Sequence, residues 1–153
     1  MAYFIGDHTC KIDNKGRILF PAALKKQLKD DSDRFVVKKD LFENCLVLYT
    51  NEEWERQNQL IRSRTNPFNK EHNRFLRGFS RGTAEIILDN SSRMLLPKRL
   101  LDLIGADKEI VLSGQDSKIE IWTKQGYDSI EEDENAFAGL AEQIMQGLLN
   151  KED

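Results

Sequence analysis

The chain of 153 residues suits one compact domain or two small units sharing a core, and its 39% hydrophobic and 32% charged residues exclude a disordered protein. The formal net charge of −3 argues against a uniformly basic nucleic-acid-binding protein. No apolar run approaches the roughly 20 residues of a membrane helix and the N-terminus lacks the pattern of a secretory signal, so we expect a cytosolic protein.

The first half of the chain reads as strand, turn, strand, helix and two further strands. Its predicted strands are 9–12, 17–20, 35–38 and 45–50, and its predicted helix is 22–28. Asp13-Asn14-Lys15-Gly16 is the turn, because Asp and Asn side chains bond nearby backbone amides and Gly16 tolerates a positive φ. Pro21 then begins the helix, where its missing N–H costs nothing.

The middle of the chain, 51–79, is predicted to be helical, with a break at Asn66-Pro67. It is also basic, with Glu71 as the single acid between residues 56 and 82. The basic residues are Arg56, Arg62, Arg64, Lys70, Arg74, Arg77 and Arg81. Two interpretations remain open: these side chains cover apolar helix surface or pair with acids from a neighbour, or they contact nucleic acid directly.

The second half repeats the first at a constant offset of 76 residues. The matched pairs are Asp13 with Asp89, Asn14 with Asn90, Arg17 with Arg93, Leu19 with Leu95 and Pro21 with Pro97. The predicted strands are 85–88, 93–96, 109–113 and 119–123, and the predicted helix is 98–104. The shared motif, Asp-x-x-x-Arg-x-x-x-Pro, followed by the same order of elements, indicates an internal duplication.

The tail from Tyr127 to Leu149 is predicted to be an amphipathic helix, weakened by Gly139 and Gly147. Its apolar residues are Ile130, Phe137, Leu140, Ile144 and Leu148. The tail is acidic, and Lys151 is its single basic residue. Its acidic residues are Asp128, Glu131, Glu132, Asp133, Glu134, Glu142, Glu152 and Asp153. The overall charge therefore hides segments of opposite sign.

Neither half is expected to fold alone, because four short strands and one helix in about 45 residues seldom bury enough apolar surface. We therefore predict that the halves interlock into one barrel-like core and cover each other's open edges. The chain divides into a first repeat (7–54), a helical connector (55–82), a second repeat (83–126) and a C-terminal helix (127–153).

The sequence offers no catalytic or metal-binding constellation. It contains no nucleophile elbow, Walker sequence or His-Glu-x-x-His motif, and His8 and His72 lie far apart. Cys10 and Cys45 sit in strand-like segments without a Cys-x-x-Cys motif, which predicts two reduced, buried thiols. We expect no enzyme activity, no metal and no cofactor.

The repeated motif is the sharpest functional feature. In one interpretation, Asp13 with Arg17 and Asp89 with Arg93 are ion pairs that brace the hairpins. In the other, the arginines meet phosphate or a guanine edge, since the guanidinium fork pairs bidentately with both. The residues alone do not decide between the bracing and the DNA-contact interpretations, and both can be true at once. The candidate DNA-binding residues are Asn14, Lys15, Arg17, Asn90 and Arg93, with Asp13 and Asp89 as bracing residues.

The paired motifs resemble those of the MraZ family of bacterial transcriptional regulators. The motifs are Asp13-Asn-Lys-Gly-Arg17-Ile-Leu-Phe-Pro21 and Asp89-Asn-Ser-Ser-Arg93-Met-Leu-Leu-Pro97, and Tyr3-Phe4-Ile5-Gly6 and Cys45-Leu46-Val47-Leu48-Tyr49 support them. The resemblance covers nearly the whole chain. It implies an α+β protein with a mainly β core, the AbrB-like swapped-hairpin (double-split) β-barrel built from two SpoVT-AbrB-type repeats.

The resemblance also implies a function. Family members are sequence-specific DNA-binding regulators, generally repressors, of the division and cell wall gene cluster, including their own promoter. They assemble into rings, bind direct repeats in double-stranded DNA and associate with the nucleoid, and the Asp-x-x-x-Arg motifs are their proposed DNA contacts. No membrane or small-molecule partner is implied. The alternative is an antitoxin-type protein-interaction module, because antitoxins use the same fold. A disordered tail in the isolated protein would favour this alternative, and a tail packed as a helix on the barrel would count against it.

One residue departs from the family pattern, which has Gly before Arg in both motifs. Gly16 keeps the pattern, whereas Ser92 replaces the second glycine. If that position needs a positive φ, Ser costs about 1 kcal/mol or more, or the turn is reshaped. We therefore expect the first motif to be the stronger DNA-binding candidate, and the second to contribute more to the fold.

Overall fold

The computed structural model describes residues 2–29, 32–130 and 133–151. The strands are β1 (Asp7–Lys11), β2 (Arg17–Leu19), β3 (Arg34–Lys39), β4 (Leu46–Thr50), β5 (Ala84–Ile87), β6 (Arg93–Leu95), β7 (Glu109–Gln115) and β8 (Lys118–Thr123). The helices are α1 (Ala22–Lys25), α2 (Asn51–Arg64), α3 (Lys70–Ser80), α4 (Lys98–Ile104), α5 (Lys124–Asp128) and α6 (Glu134–Lys151). The predicted strands are confirmed with their ends moved by one or two residues, and α1 ends three residues before the predicted Leu28.

The two repeats exchange strands. The main sheet has six antiparallel strands in the order β1-β7-β8-β4-β3-β5. Strand β1 of the first repeat pairs with β7 of the second, and β5 of the second pairs with β3 of the first. The repeats also meet at the centre, where β4 pairs with β8. The predicted interlocking is therefore confirmed.

The predicted barrel is not confirmed, because the hydrogen-bonded sheet does not close within the described residues. Strands β1 and β5 stay at the two ends of the sheet, while β2 pairs with β6 in a separate two-stranded ribbon. The ribbon is short because Pro21 and Pro97 directly follow its last hydrogen-bonded residues, Phe20 and Leu96. Proline has no N–H to extend a ladder, and each proline instead precedes the first turn of a helix.

The core lies between the main sheet, the ribbon and the helices α1 and α4. The ribbon contributes its inner face to this core through the fully buried Ile18 and Met94. From the first repeat, the rings of Phe20 and Phe35 pack at a centroid distance of 5.3 Å. Burying one such side chain is worth about 1.5–3 kcal/mol, so packing against both repeats holds the ribbon on the sheet.

The predicted helical structure of residues 51–79 is confirmed, with its break between α2 and α3. An aromatic cluster fixes its base to the sheet: the ring of Trp54 lies 5.8 Å from Tyr49 and stacks on Phe79 at 5.5 Å. The buried Lys38 places its ammonium 3.5 Å from the Phe79 ring centroid, and burial lowers its pKa to about 8. The far end of the connector is open to solvent, where Phe68 is 94% exposed.

The C-terminal helix is formed, but its apolar side is not covered. It begins at Glu134, after the separate short helix α5. Its apolar side chains Phe137, Leu140, Ile144 and Leu148 are 52 to 59% exposed. Four of the predicted acidic tail residues, Glu131, Glu132, Glu152 and Asp153, lie outside the described residues. Within the part of the chain that the structure describes, no helix has the length and apolarity needed to cross a membrane.

We predict that Gly114→Ala destabilises the protein by about 1–3 kcal/mol, as overpacking does. A Cβ at Gly114 would lie 2.6 Å from the carbonyl carbon of Phe4 and 2.8 Å from the nitrogen of Ile5, so the N-terminal segment must shift and the packing of the buried Phe4 is disturbed. Urea unfolding measures the loss. Gly139→Ala is the control, because nothing lies within 4 Å of its Cβ and alanine favours the helix, so it should not lower the midpoint. An unchanged midpoint for Gly114→Ala would contradict the packing.

Candidate nucleic-acid interface

Turn 1 (residues 13–17) is organised by the carboxylate of Asp13. Its Oδ1 accepts hydrogen bonds from the backbone N–H groups of Lys15 (2.9 Å) and Arg17 (2.8 Å). Its Oδ2 accepts from Arg17 Nε at 2.8 Å. The backbone closes the turn, since Gly16 N–H donates to the Asp13 carbonyl at 3.0 Å with Gly16 at φ +83°. One carboxylate therefore shapes the turn and holds the arginine.

Turn 2 (residues 89–93) has the same geometry. Asp89 Oδ1 accepts from the N–H groups of Ser91 (2.8 Å) and Arg93 (2.9 Å), and its Oδ2 accepts from Arg93 Nε at 3.1 Å. Ser92 adopts φ +61°, close to the value at Gly16. The second turn is therefore not reshaped, and Ser92 instead carries the cost of a left-handed conformation.

The two aspartates are held in their ionised form. The backbone N–H of Arg17 is the largest cause that lowers the pKa of Asp13, followed by the Arg17 side chain and the N–H of Lys15. For Asp89 the backbone N–H of Arg93 is again the largest cause that lowers the pKa. Hydrogen bonds to a carboxylate favour its charged form, so both turns stay locked at neutral pH.

The arginines are only partly engaged by this bracing. Asp13 and Asp89 bind the Nε atoms, and within the described residues the Nη amino groups of Arg17 and Arg93 have no protein hydrogen-bond acceptor. The two side chains are 27% and 40% exposed. Each arginine therefore keeps donors that can reach an external acceptor.

The ribbon brings the two motifs together. Arg17 lies opposite Leu95 and Arg93 lies opposite Leu19, in a register centred on Ile18 and Met94. Since alternate residues of a strand point to opposite faces, both arginines share the outer face of the ribbon. Diagonal neighbours on such a pair lie about 7–8 Å apart, so turn 1 and turn 2 frame one small surface. Of the other predicted site residues, Asn14, Lys15 and Asn90 are exposed on the two turns.

Lys25 is a further candidate site residue, which sequence reasoning missed. Its Nζ donates a hydrogen bond to Ser92 Oγ, so a lysine of the first repeat lies at turn 2 of the second repeat. Turn 2 has Ser91 where turn 1 has Lys15, so Lys25 restores one positive charge at that turn. The repeat alignment gave no signal for this role, because the equivalent of Lys25 in the second repeat is Leu101.

The structure distinguishes Arg56 from the other basic residues of the connector. Arg56 donates to the buried Glu53 through Nη2 at 2.7 Å and Nε at 2.8 Å, which is a structural role. The remaining six basic residues of this stretch form no ion pair within residues 2–29, 32–130 and 133–151. The structure therefore gives these six side chains no acidic partner within the described residues, and their contact with nucleic acid stays a prediction.

The predicted buried thiols are confirmed, and Cys45 lies beside two carboxylates. Cys10 and Cys45 are free, and burial raises their pKa to about 11 and about 12. Ligand-type atoms of Asp40, Cys45 and Glu120 lie within 4.8 Å of one another. The two carboxylates already have protein donors, since Asp40 accepts the N–H groups of residues 42 and 43 and Glu120 accepts the indole N–H of Trp122.

Comparison with known proteins gives consistent matches over both repeats. A family model described as "MraZ protein, putative antitoxin-like" matches residues 3–78 and 79–146. A relative named transcriptional regulator MraZ, from Christiangramia forsetii, is 43% identical over 151 residues, covering 95% of this chain and 94% of the relative. Relatives of the same name from Flavobacterium psychrophilum and Bacteroides fragilis are 39% and 36% identical, covering 100% and 95% of this chain and 98% and 93% of the relatives.

We predict that Ser92→Gly stabilises the protein by about 0.5–1 kcal/mol, because glycine adopts φ +61° without the side-chain penalty. Gly16→Ser is expected to destabilise it by a similar amount, since Gly16 also has a positive φ. Urea unfolding midpoints measure both changes. Ser92→Ala is the matched control, because it removes the hydroxyl that Lys25 binds but keeps a Cβ at the positive φ, so it should not raise the midpoint. A midpoint that falls for Ser92→Gly would contradict the strain at this position.

We also predict that both turns loosen in acid and not near neutrality. A carboxyl whose pKa is lowered by folding contributes stability above its unfolded pKa near 4, and this contribution is lost as the pH falls through the lower folded value. The backbone amide resonances of Lys15 and Ser91 should therefore move only below about pH 4. Asp13→Asn and Asp89→Asn should each remove the acid transition at their own turn. A transition above pH 5 would show that these carboxylates are not the braces.

Proposed function

Because the chain belongs to the MraZ family of transcriptional regulators, we propose that it is a sequence-specific DNA-binding regulator that contacts double-stranded DNA through its β2–β6 ribbon. The observation that carries the proposal is the outer face of this ribbon. It presents Arg17 and Arg93 with their Nε atoms held by aspartates and their Nη amino groups available to an external acceptor.

The dimensions of the ribbon suit the major groove. That groove admits a two-stranded β-ribbon, and arginine binds guanine O6 and N7 bidentately there. Arg17 and Arg93 are separated by about 7–8 Å, close to two base-pair rises of about 3.4 Å. We therefore propose that the two arginines read bases about two pairs apart, or bind the phosphates beside them.

The lysines and asparagines of the turns supply the surrounding contacts in this proposal. Lys15 at turn 1 and Lys25 at turn 2 bind phosphate, and Asn14 and Asn90 donate to phosphate or to a base edge. The second motif then contributes as fully as the first, in contrast to the expectation from sequence, because turn 2 keeps the geometry of turn 1. Asp13 and Asp89 brace the arginines in this proposal.

Assembly of several copies would reconcile DNA binding with the negative net charge of the chain. We propose a ring-shaped homo-oligomer that presents many equivalent ribbons, so that weak contacts add by avidity to direct repeats. Apolar side chains left exposed on the connector and on α6, among them Phe68 and Phe137, offer surface for self-association in this proposal. The charge of the DNA-facing surface then matters more than the net charge of −3.

The finer properties that the family resemblance implies complete the proposal. The regulator would repress the division and cell wall gene cluster, including its own promoter, and would lie in the cytoplasm on the nucleoid. Its fold would be the AbrB-like swapped-hairpin barrel, which the exchange of β1 and β5 between repeats supports. The four predicted divisions of the chain, 7–54, 55–82, 83–126 and 127–153, would form one compact unit.

A second candidate function is a protein-interaction module of antitoxin type. The specific observation that favours it is α6, which is folded but leaves its apolar side chains half-exposed instead of packing them on the sheet. A helix of this kind suits a groove on a partner protein. This function requires no affinity for operator DNA, so the titration below separates it from the proposed one.

We predict that Arg17→Ala and Arg93→Ala each weaken binding to the DNA upstream of the chain's own gene by about tenfold or more, the cost of losing one arginine contact to a base or phosphate. Fluorescence anisotropy over a series of salt concentrations measures the affinity. A lost phosphate contact also reduces the slope of log K against log salt by about one, whereas a lost base contact does not.

Lys124→Ala is the charge-matched control for these variants. Lys124 lies on α5 and pairs with Asp128 at 3.0 Å, so its loss removes one positive charge away from the ribbon. It should leave the affinity within about twofold, as for a surface pair worth 0–1 kcal/mol. All variants should keep the oligomer size of the unmodified protein in sizing chromatography. Unchanged affinity and salt slope in both arginine variants would refute the ribbon as the DNA-binding element.

A further inference from the structure

Two leucines stand between the arginines on the outer face of the ribbon. Leu19 is 65% exposed and Leu95 is 57% exposed, although both belong to short strands whose inner residues are fully buried. Leu19 lies opposite Arg93 and Leu95 lies opposite Arg17, so arginine and leucine alternate over the four outer positions. The sequence offset of 76 residues places a leucine at the equivalent site of both repeats.

The pairing geometry brings each leucine close to its arginine. The hydrogen bonds from Phe20 N–H to Ser92 and from Leu96 N–H to Gly16 identify the pairs on either side as hydrogen-bonded ones. By the alternation of an antiparallel ladder, the two arginine–leucine pairs are the closely spaced kind, with Cα atoms about 4.5 Å apart. That separation is near one base-pair rise of about 3.4 Å, so a base contacted by the arginine has its neighbour within reach of the leucine.

We propose that Leu19 and Leu95 contact the 5-methyl groups of thymines in the major groove and make the protein discriminate thymine from cytosine beside each arginine contact. The inference rests on the proposed function of the ribbon as the DNA-binding element. An apolar side chain has no hydrogen bond to offer a base edge, and the thymine methyl is the apolar group that the major groove exposes. The flanking arginines supply the charge that brings a phosphate backbone to this otherwise apolar surface.

A purely structural role predicts something different. A leucine that only packs along the aliphatic stem of its neighbouring arginine would orient the guanidinium and would be indifferent to the methyl group of a base. Loss of such a leucine would weaken binding to any DNA by the same factor. The two roles therefore separate when the methyl groups are removed from the DNA instead of from the protein.

The experiment uses the full chain and the DNA upstream of its own gene, prepared once with thymine and once with uracil at every thymine position. The unmodified protein should bind the uracil DNA about fourfold more weakly for each methyl contact, the factor that burial of one such group corresponds to. The double variant, with Leu19→Ala and Leu95→Ala in one chain, should bind the thymine DNA and the uracil DNA with nearly equal affinity. Leu103→Ala is the matched control, because Leu103 is 58% exposed on α4 and should keep the full preference for thymine.

Each outcome decides between a thymine-methyl contact and a purely structural role of the leucines. Equal affinity of the unmodified protein for both DNAs overturns the methyl contact. An undiminished preference for thymine in the double leucine variant also overturns it, because the preference then arises elsewhere. A double variant that weakens on both DNAs equally, with the preference unchanged, assigns the leucines to positioning the arginines. Failure of the unmodified protein to bind the thymine DNA at all refutes the proposed function itself, and the inference with it.

Discussion

The pairing of β2 with β6 is the constraint on which the rest of the structure depends. The ribbon is three residues long, yet it joins the two repeats, buries Ile18 and Met94 in the shared core and brings the two turns to one surface. It accompanies the exchange by which each repeat gives its first strand to the other, with β1 on β7 and β5 on β3. A repeat folded alone would have half a ribbon, an open sheet edge and a single arginine.

The structure shows that bracing of the arginines is compatible with the proposed DNA contact, because the aspartates bind the Nε atoms and leave the Nη amino groups without a protein acceptor in the described residues. Asp13 holds Arg17 through Nε and through the backbone, and the lowered pKa of Asp13 keeps that brace charged at neutral pH. The brace fixes the guanidinium before any ligand arrives, so little side-chain entropy remains to be lost on binding. An exposed ion pair of this kind adds little to stability, and its value lies in preorganisation.

Much of the architecture follows from sequence, whereas its cross-repeat contacts do not. Turn residues, prolines and alternating apolar residues predict the strands, and the shortage of apolar surface in either half predicts the interlocking. The open sheet was not predicted, because the sequence does not show which strands pair across the repeats. Within the described residues, strands β2 and β6 pair only with each other, and their ladder ends at Phe20 and Leu96, directly before Pro21 and Pro97. Ser92 keeps the turn despite its positive φ because the Asp89 carboxylate outweighs the local preference. Lys25 escaped notice because its neighbour, Ser92, lies 67 residues away in the chain.

Amide hydrogen exchange of the full chain, with and without its upstream DNA, tests most directly whether DNA binds the ribbon and its two turns. If it does, bound DNA slows exchange in the segments 13–20 and 89–96 together, because one surface contains both turns. Slower exchange confined to the basic stretch from 56 to 81, with both turns unchanged, would contradict binding at the ribbon and assign DNA binding to the connector.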